Sequence, residues 1–138
     1  MTRILALDLG EKRVGVALSD PLGITAQPLG KCARQGGRRD NETVERLVQE
    51  HRVNRIVVGL PLRLDGTAGR SAARARRFAN QLRRRLPIPV ELWDERLTTV
   101  EAERLMIRDG VRRRQRLECL DAMAAVLILQ SWLDAHRD

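Results

Sequence analysis

Three carboxylates in this 138-residue chain stand out, Asp8 and Asp121 among apolar residues and Glu95 at the carboxyl end of a strand-like run. Asp8 interrupts the run Arg3-Ile-Leu-Ala-Leu-Asp-Leu9, and Glu95 follows Val90-Glu-Leu-Trp-Asp94. Asp121 shares a helical stripe with Leu117, Ala124, Ala125, Ile128 and Trp132, at three, four, seven or eleven residues, with Leu120 beside it. An ionised carboxylate taken out of water is costly unless something compensates it. For any one of these acids an ion pair with an arginine would suffice. Three acids converging from three segments repel one another and raise their own pKa values unless they share a divalent cation. Mg²⁺ or Mn²⁺, which accept oxygen ligands, suit Asp and Glu with no histidine or cysteine. Two such ions roughly 3.5–4 Å apart would support in-line phosphodiester hydrolysis without a protein nucleophile.

The overall charge points to the same class of substrate. Lys and Arg number 26 against 18 Asp and Glu, a formal net charge of +8, which favours a polyanionic partner and above all nucleic acid. Only Lys12 and Lys31 are lysine; the planar guanidinium fork of the arginines binds phosphate oxygens in pairs. One Phe, two Trp and no Tyr leave little surface for stacking bases, so recognition by shape and backbone is expected. Arg70, Arg74, Arg77 and Arg84 recur on one helix face, and Arg112 to Arg116 form a basic stretch; both are candidate contact surfaces, although such a face can be merely solvated. Cys32 and Cys119 fit no metal or disulfide pattern and are expected as free thiols. His51 and His136 fall at helix ends and are expected to be bystanders. No apolar run approaches membrane length and no signal-peptide core is evident, so a cytoplasmic protein with no membrane contact is expected.

The elements that must position the acids follow from pattern and punctuation. Residues 3 to 9 read as a buried strand, residues 14 to 19 as its antiparallel hairpin partner across Gly10-Glu-Lys-Arg13, and residues 24 to 32 can hold a third strand. After a loop at 34 to 39, Asp40 or Asn41 is placed to cap a helix carrying Val44, Leu47 and Val48 and ending near Arg52. Arg55-Ile-Val-Val-Gly59 reads as a parallel strand covered on both faces. A Gly- and Pro-punctuated loop leads to a helix ending near Leu86, with Ala75, Phe78, Ala79, Leu82 and Leu86 as its apolar stripe. Val90 to Trp93 forms a last strand presenting Asp94 and Glu95 at its carboxyl end, the edge where open α/β sheets bind ligands. Helices over 99 to 109 and 117 to 136, joined by a mobile basic linker over 110 to 116, close the chain. This order describes one α/β domain over residues 1–138, a mixed central sheet flanked by helices.

Four stretches together resemble one known family. They are Asp8-Leu-Gly-Glu-Lys-Arg-Val-Gly-Val-Ala-Leu-Ser-Asp20, Val57-Val-Gly-Leu-Pro-Leu-Arg-Leu-Asp-Gly-Thr-Ala-Gly69, Asp94-Glu-Arg-Leu-Thr-Thr99 and Asp121-Ala-Met-Ala-Ala-Val-Leu-Ile-Leu129. In this order they resemble the YqgF/RuvX family of RNase H-like nucleases, also described as Holliday junction resolvases, from near residue 3 to about residue 133. The resemblance implies an RNase H-like fold with Asp8, Glu95 and Asp121 as the metal-binding catalytic acids. It implies phosphate contact or orientation of the acids at Arg13, Arg96 and Thr98. It further implies a bacterial cytoplasmic nuclease maturing the 5′ end of pre-16S rRNA, with a ribosome precursor as partner and resolution of branched DNA as the alternative activity. The arginine linker before Asp121 departs from a lysine-rich family habit but keeps the charge.

Two rival readings remain distinguishable. An actin-like or sugar-kinase ATPase shares the acid-Leu-Gly strand and hairpin, but the chain has no room for the second lobe that clamps nucleotide. A non-catalytic nucleic-acid-binding module would keep the fold and the charge without cleaving. Monomer and homodimer are both open, and a junction resolvase would need two symmetric sites.

Overall fold

The computed structural model describes residues 3–63, 65–95 and 113–136, with the backbone alone for residues 113–122. Five strands, β1 (Ile4–Leu9), β2 (Arg13–Ser19), β3 (Ala26–Ala33), β4 (Arg55–Leu60) and β5 (Val90–Asp94), form one sheet in the order β3-β2-β1-β4-β5. The pairs β1–β2 and β2–β3 are antiparallel, whereas β1–β4 and β4–β5 are parallel. The mixed sheet is thus a meander extended by two crossover strands. Three helices complete the described chain: α1 (Gly37–His51), α2 (Arg70–Arg85) and α3 (Arg113–Ala135).

Side chains alternate across a strand, so each strand splits between two cores. Leu5, Leu7, Val14, Val16, Ile56, Val58 and Val90 pack with Val44 and Val48 of α1 and with Ala75, Phe78, Ala79 and Leu82 of α2. Ile4, Ala6, Ala17 and Val57 pack on the other face against Ala125, Ile128, Leu129, Trp132 and Leu133 of α3. The α2 stripe matches the expected one, with Ala72 added at its start and Leu86 partly buried at its end. Of the buried α3 positions, Ala124, Ala125, Ile128 and Trp132 are the C-terminal half of the stripe that includes position 121.

Two expectations are corrected. The helix α1 begins at Gly37, and Gly36, at φ 111°, holds the N-cap position expected of Asp40 or Asn41. Asp40 is committed elsewhere: its buried carboxylate accepts from Arg34 Nε (2.8 Å) and from the Gln35 N–H (2.9 Å). The Arg34 guanidinium also donates to the Gly10 carbonyl at 2.7 Å, so this pair anchors the β1–β2 turn to the start of α1. Residues 113 to 116, expected in a mobile linker, form the first turn of α3. Arg and Gln are good helix formers, and no Gly or Pro follows Gly110 to break the turn. The helix expected over 99 to 109 lies outside the described residues.

The β1–β2 turn depends on a glycine. The Gly10 N–H donates to the Arg13 carbonyl at 2.8 Å, and a Cβ at Gly10 would sit 2.9 Å from that same oxygen. No helix among the described residues is long and apolar enough to cross a membrane.

Removing the Asp40 carboxylate leaves Arg34 half-buried without its partner. Asp40→Ala is therefore expected to lower the unfolding free energy by about 2–3 kcal/mol, read from urea denaturation. A loss within about 0.5 kcal/mol, the range of an ordinary surface substitution, would show that the anchor contributes nothing.

Candidate active site

The candidate site lies at the C-terminal edge of the parallel strands. Asp8 is the penultimate residue of β1, the central strand, directly across from Gly15 of β2. Alternation puts it on the face of Ile4 and Ala6, the face that α3 covers. At the end of β5, alternation separates two adjacent acids. Glu91 and Trp93 reach toward α3, through Trp132 Nε1 to Glu91 Oε1 (2.7 Å) and Trp93 Nε1 to Ser131 Oγ (3.1 Å). Glu95 continues that series, whereas Asp94 follows Val90 and Leu92 on the other face and is exposed. The Glu95 N–H still donates to the Leu60 carbonyl at 3.2 Å, which fixes the residue to the end of β4.

Asp8 and Glu95 belong to strands with β4 between them, roughly 9–10 Å apart at two strand spacings. The gap closes because β4 has a glycine where Glu95 crosses it. A Cβ at Gly59 would collide with Glu95 Oε2 and would stand 2.6 Å from Ile128 Cδ1. The Glu95 side chain therefore lies in the trough over Gly59, beneath α3, and its carboxyl hydrogen-bonds that of Asp8. A hydrogen bond between two carboxyl groups requires a proton between them. Accordingly Glu95 is pushed up to about 8, first by burial, then by the Asp8 charge and the hydrogen bond to Asp8, and last by the Asp94 charge.

Two half-buried carboxyls in contact are hard oxygen donors whose joint ionisation at neutral pH is costly unless a cation compensates it, which is donor chemistry suited to a divalent cation such as Mg²⁺ or Mn²⁺. Among the described residues no group of three acids, histidines or cysteines is assembled, and the Asp121 side chain lies outside them. Position 121 itself is in α3.

The other expected residues divide. Arg13 opens β2 on the Asp8 face, two positions from the Gly15 opposite Asp8, and is exposed. Arg70 and Arg77 are exposed and Arg74 is half-buried, all on α2 and thus on the opposite face of the sheet from the acid pair. Arg96 and Thr98 lie outside the described residues. Cys32 is a free thiol, and Cys119 lies outside the described side chains. His51 ends α1, and His136 stacks on Trp132 with ring centroids 3.9 Å apart, away from the acids. Gly59 escaped the sequence reading as a site residue, although a glycine inside a strand signals a close approach by another group.

Comparison with known proteins follows the same lines. The family model described as RuvX, Holliday junction resolvase, matches residues 2–135. A protein of Pelotomaculum thermopropionicum is 52% identical over 135 residues, covering 97% of this chain and 88% of that protein. One of Syntrophus aciditrophicus is 53% identical over 133 residues, covering 96% and 89%. Both carry pre-16S rRNA nuclease as a provisional name. Among solved structures, T. thermophilus RuvC in complex with a Holliday junction substrate superposes with a TM-score of 0.63 at 14% identity, covering 97% of this chain and 95% of that one. The Fowlpox virus resolvase complexed with Holliday junction DNA gives 0.64 at 10% identity, covering 99% and 100%. These likenesses make the architecture an RNase H-like fold.

Two outcomes follow from the trough. Gly59→Ala is expected to displace Glu95 and to cost about 100-fold in any metal-dependent cleavage, the scale of a misplacement of about 1 Å. Adding Ile128→Val removes the Cδ1 clash, so the double variant is expected to regain thermal stability but not activity; recovery of both would contradict the Glu95 seat. The proton gives the second outcome. A folded-state pKa near 8 against an ordinary 4.5 means that the native state binds more protons between those values. In EDTA, stability is therefore expected to fall as pH rises through that window, and Glu95→Gln is expected to remove that decline in urea midpoints. A flat wild-type profile would contradict the shared proton.

Proposed function

The chain belongs to the RuvX family, and from that premise we propose that it is a divalent-metal-dependent nuclease hydrolysing phosphodiester bonds, with 5′-end maturation of pre-16S rRNA as its reaction. The observation that carries this reading is the contact between the Asp8 and Glu95 carboxyls at the strand edge. Asp8, Glu95 and Asp121 would hold Mg²⁺ or Mn²⁺, in a two-ion arrangement. Bound there, the metal would neutralise the acids, polarise a scissile phosphate and lower the pKa of an attacking water.

The course of α3 supports Asp121 as the third acid. Trp132 meets Glu91 near the start of β5, and Ile128 stands over Gly59 near the end of β4, so α3 runs antiparallel to these strands. Position 121 is seven residues earlier on the same stripe, two turns or roughly 10.5 Å nearer the start of α3, which is the end of the helix on the carboxyl side of these strands. Asp8 and Glu95 provide negative oxygen ligands, and the half-buried trough limits competition from water. Arg13, on the Asp8 face at the turn, fits a contact to substrate phosphate, and Arg96 and Thr98, adjoining Glu95 in sequence, fit the same role or orientation of that acid. Without a protein nucleophile, the chain's own contribution is to place the acids and to bind the phosphates.

The names of the relatives favour structured RNA of a ribosome precursor, and a cytoplasmic protein accords with that substrate. The family description favours a second reading, cleavage of branched DNA, which would require a homodimer with two symmetric sites rather than a monomer.

Asp8→Asn is expected to abolish Mg²⁺- or Mn²⁺-dependent cleavage, to below about one-thousandth of wild type, while affinity for the same substrate stays within about threefold. A panel of precursor rRNA, duplex RNA and four-way-junction DNA checks both substrate readings. An Asp8→Asn protein that cleaves as wild type does, or a wild type inert on the whole panel, would overturn the proposal.

A further inference from the structure

The β1 edge has two sides. Asp8 faces α3, and Leu9, one strand step of about 3.3 Å away, faces α1 and α2. There Leu9 lines a cavity of about 170 Å³ with Arg34, Gly37, Arg74, Arg77 and Gln81. A second cavity of about 330 Å³, lined by Arg38, Asn41, Gln81, Arg84 and Arg85, continues it along the seam between the two helices. Gln81 belongs to both, so they form one groove that starts beside the candidate site.

Its charge is only partly compensated from within. Arg34 is paired with Asp40, Arg38 with Glu42, Arg74 with Glu11 and Arg85 with Glu45. Arg77 and Arg84 have no carboxylate within ion-pair distance among the described residues. One guanidinium stands in each cavity, seven residues and therefore roughly 10.5 Å apart on the same face of α2. At the joint, the buried Asn41 donates its Nδ2–H to Gln81 Oε1 at 3.2 Å. This engages the acceptor of Gln81 and leaves the two N–H donors of its amide for a ligand. Apart from the buried Asn41 Oδ1, an acceptor without a hydrogen-bond partner, the groove side chains not already paired are the Gln81 amide donors and the Arg77 and Arg84 guanidinium groups, the chemistry of a phosphodiester chain.

We infer that the α1–α2 groove, with Arg77 and Arg84 as its anchors, binds the sugar-phosphate backbone of the substrate nucleic acid where it passes over the Leu9 edge from the acid site. This rests on the nuclease reading for its substrate but not for its test. The backbone, rather than the bases, is the ligand, because the groove presents guanidinium and amide donors and its only aromatic lining residue, Phe78, is buried in the core.

The test uses fluorescein-labelled double-stranded RNA, fluorescence anisotropy and the full-length chain in the Asp8→Asn background, so that cleavage plays no part. Arg77→Gln with Arg84→Gln is expected to weaken Kd about tenfold and to lower the slope of log K against log salt by roughly 0.7–0.9 for each arginine that meets a phosphate. Arg39→Gln with Arg76→Gln removes equal charge from exposed positions outside both cavities and is expected to change Kd by less than about threefold. Equal losses in the two pairs, or no loss in the groove pair with unchanged thermal unfolding, would overturn the groove. If the wild type cleaves nothing yet the groove pair alone loses affinity, the nuclease reading fails and the groove stands.

Discussion

Two carboxyls brought into contact in a half-buried place are the constraint around which the rest of this molecule is arranged. Asp8 and Glu95 come from strands that are not neighbours, and burial beside the Asp8 charge makes Glu95 harder to ionise. Such a pair persists only if the fold over-determines it. Here β1 is central and buried on both faces, the Gly10 turn closes immediately after Asp8, and β5 is fixed to β4 as far as the Glu95 N–H. The missing side chain at Gly59 opens the path, and Ile128 of α3 roofs it.

The sheet also keeps two kinds of charge apart. The acid pair faces α3, while the α2 arginines lie behind the sheet beside α1. Guanidinium groups on α2 therefore cannot reach through the sheet to neutralise the acids, and a mobile cation can take that role. The two sides meet at the Leu9 edge, where a polyanion could touch both. A net charge of +8 thus coexists with a local negative site because topology, rather than composition, decides which charges are neighbours.

Much of this was legible in the residues themselves. The apolar runs around Asp8 and Val57 gave their strands because β-branched and aliphatic residues bounded by glycine leave little alternative. The α2 stripe was legible for the same reason at period 3.6, and Glu95 rather than Asp94 followed from its place in the family-like motif. Other features depend on contacts that no local pattern encodes. Asp40 looks like a cap in sequence, but its carboxylate is taken by Arg34 from the end of β3 and the helix starts four residues earlier than an Asp40 cap would set. The basic stretch before Asp121 looked like a linker because charge runs usually are, yet its arginines also favour the helical turn they form. The role of Gly59 is likewise tertiary: its meaning comes from Glu95, thirty-six positions later in the chain.

The central claim is that the acid pair holds a proton when metal-free and exchanges it for a divalent ion. Calorimetric titration of Mn²⁺ into the protein at pH 7, repeated in buffers of different ionisation enthalpy, counts the protons released per ion bound. With Glu95 near 8, the account predicts saturable binding with release of close to one proton, both lost in Glu95→Gln. Binding with no proton released, or no saturable binding at all, would contradict it.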